Sequence, residues 1–108
     1  MEAVRGLTLW NAHEDGHVVI YARGEMDFAT TSFLIQTIRD LMSESVQTCL
    51  IHCQEVTFID SETLKHVLTI RRDLARRGKT LGLCRCSSQV QRILDILGLS
   101  EHLVVNCI

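Results

Sequence analysis

From residue 7 to residue 105 the apolar positions switch repeatedly between a period of two and a period near 3.6. That alternation restricts the chain to folds in which strands are joined through helices. Leu7-Thr8-Leu9-Trp10-Asn11 alternates as a half-buried strand does, and the polar turn His13-Glu14-Asp15-Gly16 leads to a second strand, Val18 to Tyr21. Residues 7–23 therefore read as an antiparallel hairpin. Gly24 ends it, and Asp27 is placed to cap a helix whose inner face is Leu34, Ile38, Leu41 and Met42. Thr48 to Cys53 is a third strand, with Val56 to Ile59 leading out of it. A second helix starts near Asp60 or Ser61, with Leu64, Val67, Leu68, Leu74 and Ala75 on its apolar stripe and Gly78 after its end. Arg71 falls among them, its stem laid along the core and its head in water. Thr80 to Cys86 is a fourth strand. Ser88 and Gln91 form a capping-box pattern for a third helix, with Val90, Ile93, Leu94 and Leu97 inward and Gly98 closing it. Leu103-Val104-Val105 reads as a short last strand. The order β-β-α-β-α-β-α-β predicts an α/β fold over residues 1–108. Its sheet is expected to be mixed and mostly parallel, of about five strands, with three or more helices.

A chain of 108 residues suits one compact domain, and 46% hydrophobic with 22% charged residues is ordinary for a globular protein. No apolar run approaches the ~20 residues that span a bilayer. Met1 to Arg5 lacks the apolar core of a signal peptide, so the expected location is the cytoplasm. Five cysteines, an odd number, fit free thiols in a reducing compartment. The net charge of −2 argues against a nucleic-acid partner. Its distribution is uneven: residues 1–64 hold ten acidic and three basic side chains, residues 65–108 three acidic and eight basic. Such asymmetry marks either a charged partner surface or a solvated helix face between Lys65 and Lys79.

Enzyme signatures are missing from the sequence. There is no dinucleotide fingerprint, no phosphate-cradling Gly-rich loop ending in Lys-Ser/Thr and no Gly-x-Ser-x-Gly elbow. The cysteines make a poor metal site. Cys49 and Cys53 on an extended strand stand roughly 13 Å apart, and Cys84 and Cys86 about 7 Å. No cofactor and no metal is expected. Trp10 and Tyr21 sit in strands, where packing on the sheet is the expectation, and the five histidines are scattered without a nucleophile at catalytic spacing.

One segment remains, Phe58-Ile59-Asp60-Ser61-Glu62-Thr63-Leu64, where a strand passes into a helix. A serine in the first turn of a helix lies beside unpaired N–H groups and the positive end of the dipole, so a phosphate there is tolerated. Plain capping by Asp60 or Ser61 accounts for the same residues. Three pieces in order, Gly24-Glu25-Met26-Asp27, Val56 to Ser61 and Val90 to Leu99, resemble STAS domains, the fold of bacterial anti-sigma-factor antagonists and of sulfate-transporter tails. The resemblance covers about residues 7–105. It implies a small binding protein, not an enzyme, whose partner is an anti-sigma factor that is itself a serine kinase. Ser61 is then the phosphate acceptor, Asp60 positions its loop, and Asp27 contacts the kinase. The implied partner surface is Asp27, Asp60, Ser61, Glu62 and Thr63, with Thr63 an alternative acceptor. A STAS subunit that is not phosphorylated and packs on a transporter ATPase or a stress-signalling scaffold is the second reading. The family usually has a small residue and a glycine where this chain has Glu62 and Thr63, and often an aspartate where it has His52.

Overall fold

The computed structural model describes residues 1–106. Five strands form a single sheet in the order β1 (Glu2–Val4), β2 (Leu7–Glu14), β3 (His17–Met26), β4 (Thr48–Ile59), β5 (Thr80–Cys84). The helices are α1 (Thr31–Leu41), α2 (Ser61–Ala75), α3 (Ser88–Leu97) and the single turn α4 (Ser100–Leu103). The α/β class and the expected hairpin stand. Two strand pairings are antiparallel and two parallel, so the sheet is evenly mixed rather than mostly parallel. The difference has two sources: residues 103–105 form no parallel strand, and β1, an exposed three-residue strand too short to carry a periodic signal, folds back on β2 through a turn at Arg5 and Gly6.

Alternation explains the layers. Leu7, Leu9, Val18, Ile20, Ala22, Cys49, Ile51, Cys53, Leu81 and Leu83 share one face of the sheet. Against them pack Leu34 and Ile38 of α1, Leu64, Val67, Ile70 and Leu74 of α2, Val90 and Leu94 of α3, and Leu103 of α4. Each of these side chains is buried, and the dry cluster they form is the main source of stability. In α2, Ile70 takes an inner place and Ala75, expected on the stripe, is exposed; Arg71 is half-buried as its position implied. Leu97, expected inward at the end of α3, is exposed as well. Among the described residues, no helix packs on the other sheet face. There Trp10, Tyr21, His52 and Cys84 stand in one cross-strand row.

Five local expectations are corrected. The run Thr48–Cys53 and the run Val56–Ile59 are one twelve-residue strand, β4. Strand β5 ends at Cys84, two residues early, because Arg85 turns into the left-handed region. Helix α1 starts at Thr31 rather than near Asp27, because Asp27 turns the chain first: its backbone oxygen accepts from the N–H groups of Thr30 and Thr31 at 3.0 and 2.9 Å. Helix α3 is capped by Ser87, not Ser88; the Ser87 hydroxyl accepts from Val90 N at 3.2 Å and donates to Val56 O at 2.5 Å. Leu103 ends α4, and Val104 makes only an isolated parallel bridge to Leu83. The apolar triplet 103–105 reflects packing, since Leu103 is in the core and Val105 lies over Gly82.

Among the thiols, Cys49, Cys53 and Cys86 are free, and burial pushes the Cys49 thiol up to about 12. Cys84 is disulfide-bonded, which corrects the expectation of free thiols there. Count and local spacing carry no information on which sulfurs a fold brings within bonding distance. Cys107 lies outside the described residues. Among the described residues, no helix is long and apolar enough to cross a membrane, and no group of three or more metal-ligating side chains is found.

Lys79 is the one lysine that the fold buries among the described residues. Its Nζ donates to the carbonyl oxygens of Ser43 at 3.0 Å, Glu44 at 3.2 Å and Val46, closing the loop between α1 and β4. Lys79→Met keeps the stem but orphans three acceptors, and charge-assisted bonds of this kind are the strong ones. A loss of about 2 kcal/mol or more is expected from urea unfolding, against under ~0.5 kcal/mol for exposed Arg76→Met.

Candidate functional site

Strands β3 and β4 run parallel, so their C-terminal ends deliver two loops to the same edge of the sheet. In open α/β sheets this edge is where binding sites are built. After β3 the chain passes Asp27, Phe28, Ala29 and Thr30 before α1; after β4 a single residue, Asp60, leads into α2. Asp60 is extended (φ −99°, ψ 166°), and its carboxylate accepts from Thr63 N at 2.8 Å, so of the two caps the sequence offered, Asp60 and Ser61, it is Asp60 that caps α2. Asp27 uses its Oδ1 to accept from Ala29 N at 2.9 Å, which tightens the loop before α1 rather than capping the helix.

The two loops are tied to each other. Asp60 N donates to Met26 O at 3.1 Å. Inside, the hydroxyls of Thr31 and Thr63 meet at 2.9 Å, and Thr31 Oγ1 donates to Asp27 O at 2.8 Å. With one proton on each hydroxyl, Thr31 serves Asp27 O and Thr63 serves Thr31. Both threonines are buried, Thr63 with no exposed surface at all. Thr30 adds a second strap: its hydroxyl lies 2.9 Å from Asp27 N and 3.0 Å from Glu25 O. A buried, satisfied hydroxyl network of this kind holds both loops in one arrangement.

Of the five residues singled out in the sequence, Asp27, Asp60, Ser61 and Glu62 come together at the surface, and Thr63 is turned inward beneath them. Asp27 and Asp60 are half-buried; Ser61, the first residue of α2, is exposed. Glu62 is exposed too and reaches along the helix to Lys65, with 3.5 Å between the charges. That pair sits in water and adds little stability, but it draws the carboxylate toward a lysine. The edge is acidic at the loops and has an anion-tolerant helix end at Ser61.

Phe28 completes the edge and was not legible as a site residue. It is 86% exposed, beside Asp27, and Phe58 on β4 is also exposed. The sequence signal was an aromatic residue in a segment with no apolar period, masked by the expectation that a helix began at Asp27. Next to Phe28 a groove of about 410 Å³ runs between α1 and α2, bordered by Ile35, Gln36, Arg39, Glu62 and His66. Solvent-exposed phenylalanine at a groove rimmed by polar groups is the composition of a protein-docking surface.

The family model described as the STAS domain matches residues 10–107. Among solved structures, an anti-sigma factor antagonist from Mycobacterium paratuberculosis is similar at 23% identity, with 95% of this chain and 87% of that chain covered and a TM-score of 0.79. The Bacillus cell fate determinant SpoIIAA in its phosphorylated form is similar at 20% identity over 93% of this chain and 92% of that one, TM-score 0.69. A sulfate transporter family protein from Wolinella succinogenes is similar at 19% identity over 82% and 71%, TM-score 0.68. At these identities the likeness is one of fold. No curated protein sequence matches the chain at a significant level.

Proposed function

Because the chain belongs to the STAS domain family, we propose that it is an anti-sigma-factor antagonist, a cytoplasmic protein that binds a kinase-type anti-sigma factor and is switched by phosphorylation of Ser61. The observation that carries this reading is the exposed Ser61 at the N-terminus of α2, framed by Asp27, Asp60 and Phe28 on two loops locked together from within. The anti-sigma factor antagonist from Mycobacterium paratuberculosis and the phosphorylated form of SpoIIAA share the fold and support it.

The unphosphorylated face docks through Phe28 and the α1–α2 groove, with Asp27, Asp60 and Glu62 as a polar rim. The partner holds ATP and magnesium and supplies the phosphoryl chemistry. This chain is the substrate: the Ser61 hydroxyl oxygen attacks the γ-phosphorus, the bond to ADP breaks, and the hydroxyl proton leaves to a base on the partner. The phosphate adds about two negative charges to an edge already holding Asp27, Asp60 and Glu62. Redocking then has to desolvate that charge, and the complex is released. Thr63, with its hydroxyl buried, acts as the internal strut of the loop.

A second reading is favoured by Glu62, whose carboxylate follows Ser61 directly: a STAS subunit that is never phosphorylated and binds a transporter ATPase or a signalling scaffold. Calorimetric titration with the kinase-type anti-sigma factor of the same genome separates them. The proposal expects saturable binding at one to one, weakened at least about tenfold by Phe28→Ala, as for an exposed aromatic anchor. No heat with that partner, and binding to a transport ATPase instead, would establish the second reading.

A further inference from the structure

The helix-free face of the sheet carries a second cleft, independent of the Ser61 edge. It has a volume of about 470 Å³ and is bordered by Trp10, Tyr21, His52, Gln54, Glu55 and Arg85. The register builds it. Trp10, Tyr21 and His52 are direct neighbours on β2, β3 and β4, so their rings rise from the sheet in one row. Trp10 and Tyr21 are stacked at 5.6 Å between centroids with 14° between planes, and the His52 ring meets Tyr21 edge-on at 4.8 Å. The Arg23 guanidinium lies 5.6 Å from the Trp10 centroid and pairs with Glu55 at 3.4 Å. Between Tyr21 and Arg23 the β3–β4 register shifts, two residue steps of β3 facing the three of β4 from His52 to Glu55, and irregularities of that kind re-aim side chains beside binding sites.

The charges select the kind of ligand. Arg23 and Glu55 neutralise each other. Arg85 follows β5, is exposed, and has no ion pair among the described residues. Its backbone is in the left-handed region (φ 49°), an uncommon conformation for a residue with a long side chain. The cleft thus combines a wall of ring surface with one uncompensated guanidinium. Burial, and next the Arg85 charge, hold the His52 imidazole below its ordinary range, so it faces the cleft as a neutral ring at pH 7.

We propose that this cleft binds a small planar aromatic anion, its ring against Trp10, Tyr21 and His52 and its anionic group on Arg85. Aromatic walls with a single placed charge are the usual make-up of small-ligand sites, and a guanidinium matches a carboxylate in plane.

The chain has one tryptophan, so it gives one indole N–H cross-peak in a nitrogen–proton correlation spectrum. The full ¹⁵N-labelled chain is titrated with 2-naphthoate, a fragment-sized probe for which a dissociation constant on the order of 1 mM is expected. The expected result is a saturable shift of the Trp10 indole peak, with Arg85→Gln raising the dissociation constant about tenfold or more. Cyclohexanecarboxylate, with the charge but no aromatic ring, and 2-naphthamide, with the ring but no charge, are expected to shift it far less. The proposal is overturned if 2-naphthoate gives no saturable shift, if Arg85→Gln binds it as tightly as the parent chain, or if cyclohexanecarboxylate binds as well. A Trp10 peak that moves with protein concentration in the absence of any probe would overturn it in favour of a second copy on this face.

Discussion

Alanine at position 24 is expected to destabilise the fold by about 4 kcal/mol or to prevent folding altogether. Gly24 has φ +112°, and a Cβ there would sit 1.9 Å from the carbonyl oxygen of Gly6 and 3.0 Å from its carbon. Both are backbone atoms, and Gly6 O is itself held by Glu25 N at 3.1 Å, so neither partner can move aside without breaking the β2–β3 pairing. Strain of the residue and displacement of a paired strand add. Gly6→Ala provides the contrast. Gly6 also has positive φ, but nothing lies within 4 Å of its added Cβ, so only backbone strain of roughly 1 kcal/mol is expected. Urea unfolding of the two variants checks the pair. Equal losses would mean that the close approach of residues 6 and 24 is not what fixes the loop before Asp27.

Ser61→Asp is expected to weaken binding to the kinase-type anti-sigma factor at least about tenfold, corresponding to ~1.4 kcal/mol, with phosphoserine weakening it further. Aspartate brings one charge to the edge where phosphate brings about two. Both meet Asp27, Asp60 and Glu62 and must lose water on docking. Ser61→Ala should bind within about threefold of the parent chain, since an exposed hydroxyl contributes little. Because Ser61 is exposed at the start of α2, neither change should move the unfolding midpoint appreciably, so lost binding cannot be put down to lost folding. Glu62→Ser should speed modification. The carboxylate beside the acceptor repels incoming phosphate charge even while it leans toward Lys65. If the Ser61→Asp variant bound as tightly as the parent chain, charge would be removed as the basis of the switch.

What was legible in the sequence follows from the range of each interaction. The start of α2 is legible to within Asp60 or Ser61 because capping is local: the bond from Thr63 N to Asp60 that decides between them spans three residues. The inward faces of α1 and α3 are readable from period alone, apart from Leu97, which is exposed in the last turn of α3. Asp27 precedes α1 but does not cap it, because its turn depends on Thr30 and Thr31 and on the link from Thr31 to Thr63, 32 residues away. The same long-range bond explains why Thr63 was expected at the surface and lies under it. Strand β1 has no buried residue and hence no pattern. Phe28 and the Trp10–Tyr21–His52 row have the same cause from opposite sides. Exposure of an aromatic residue is decided by what covers it, and neither the late start of α1 nor the absence of helices on one sheet face is written locally.

The claim that this chain is the substrate of a partner kinase is tested most directly by mapping the phosphate. The purified chain and its Ser61→Ala variant are incubated with the kinase-type anti-sigma factor of the same genome and ATP, and the site is located by peptide mass spectrometry. One phosphate per chain is expected, on Ser61, and none on the alanine variant. A phosphate on another residue, or an unmodified Ser61 after complete turnover of a known substrate by the same kinase, would contradict the account.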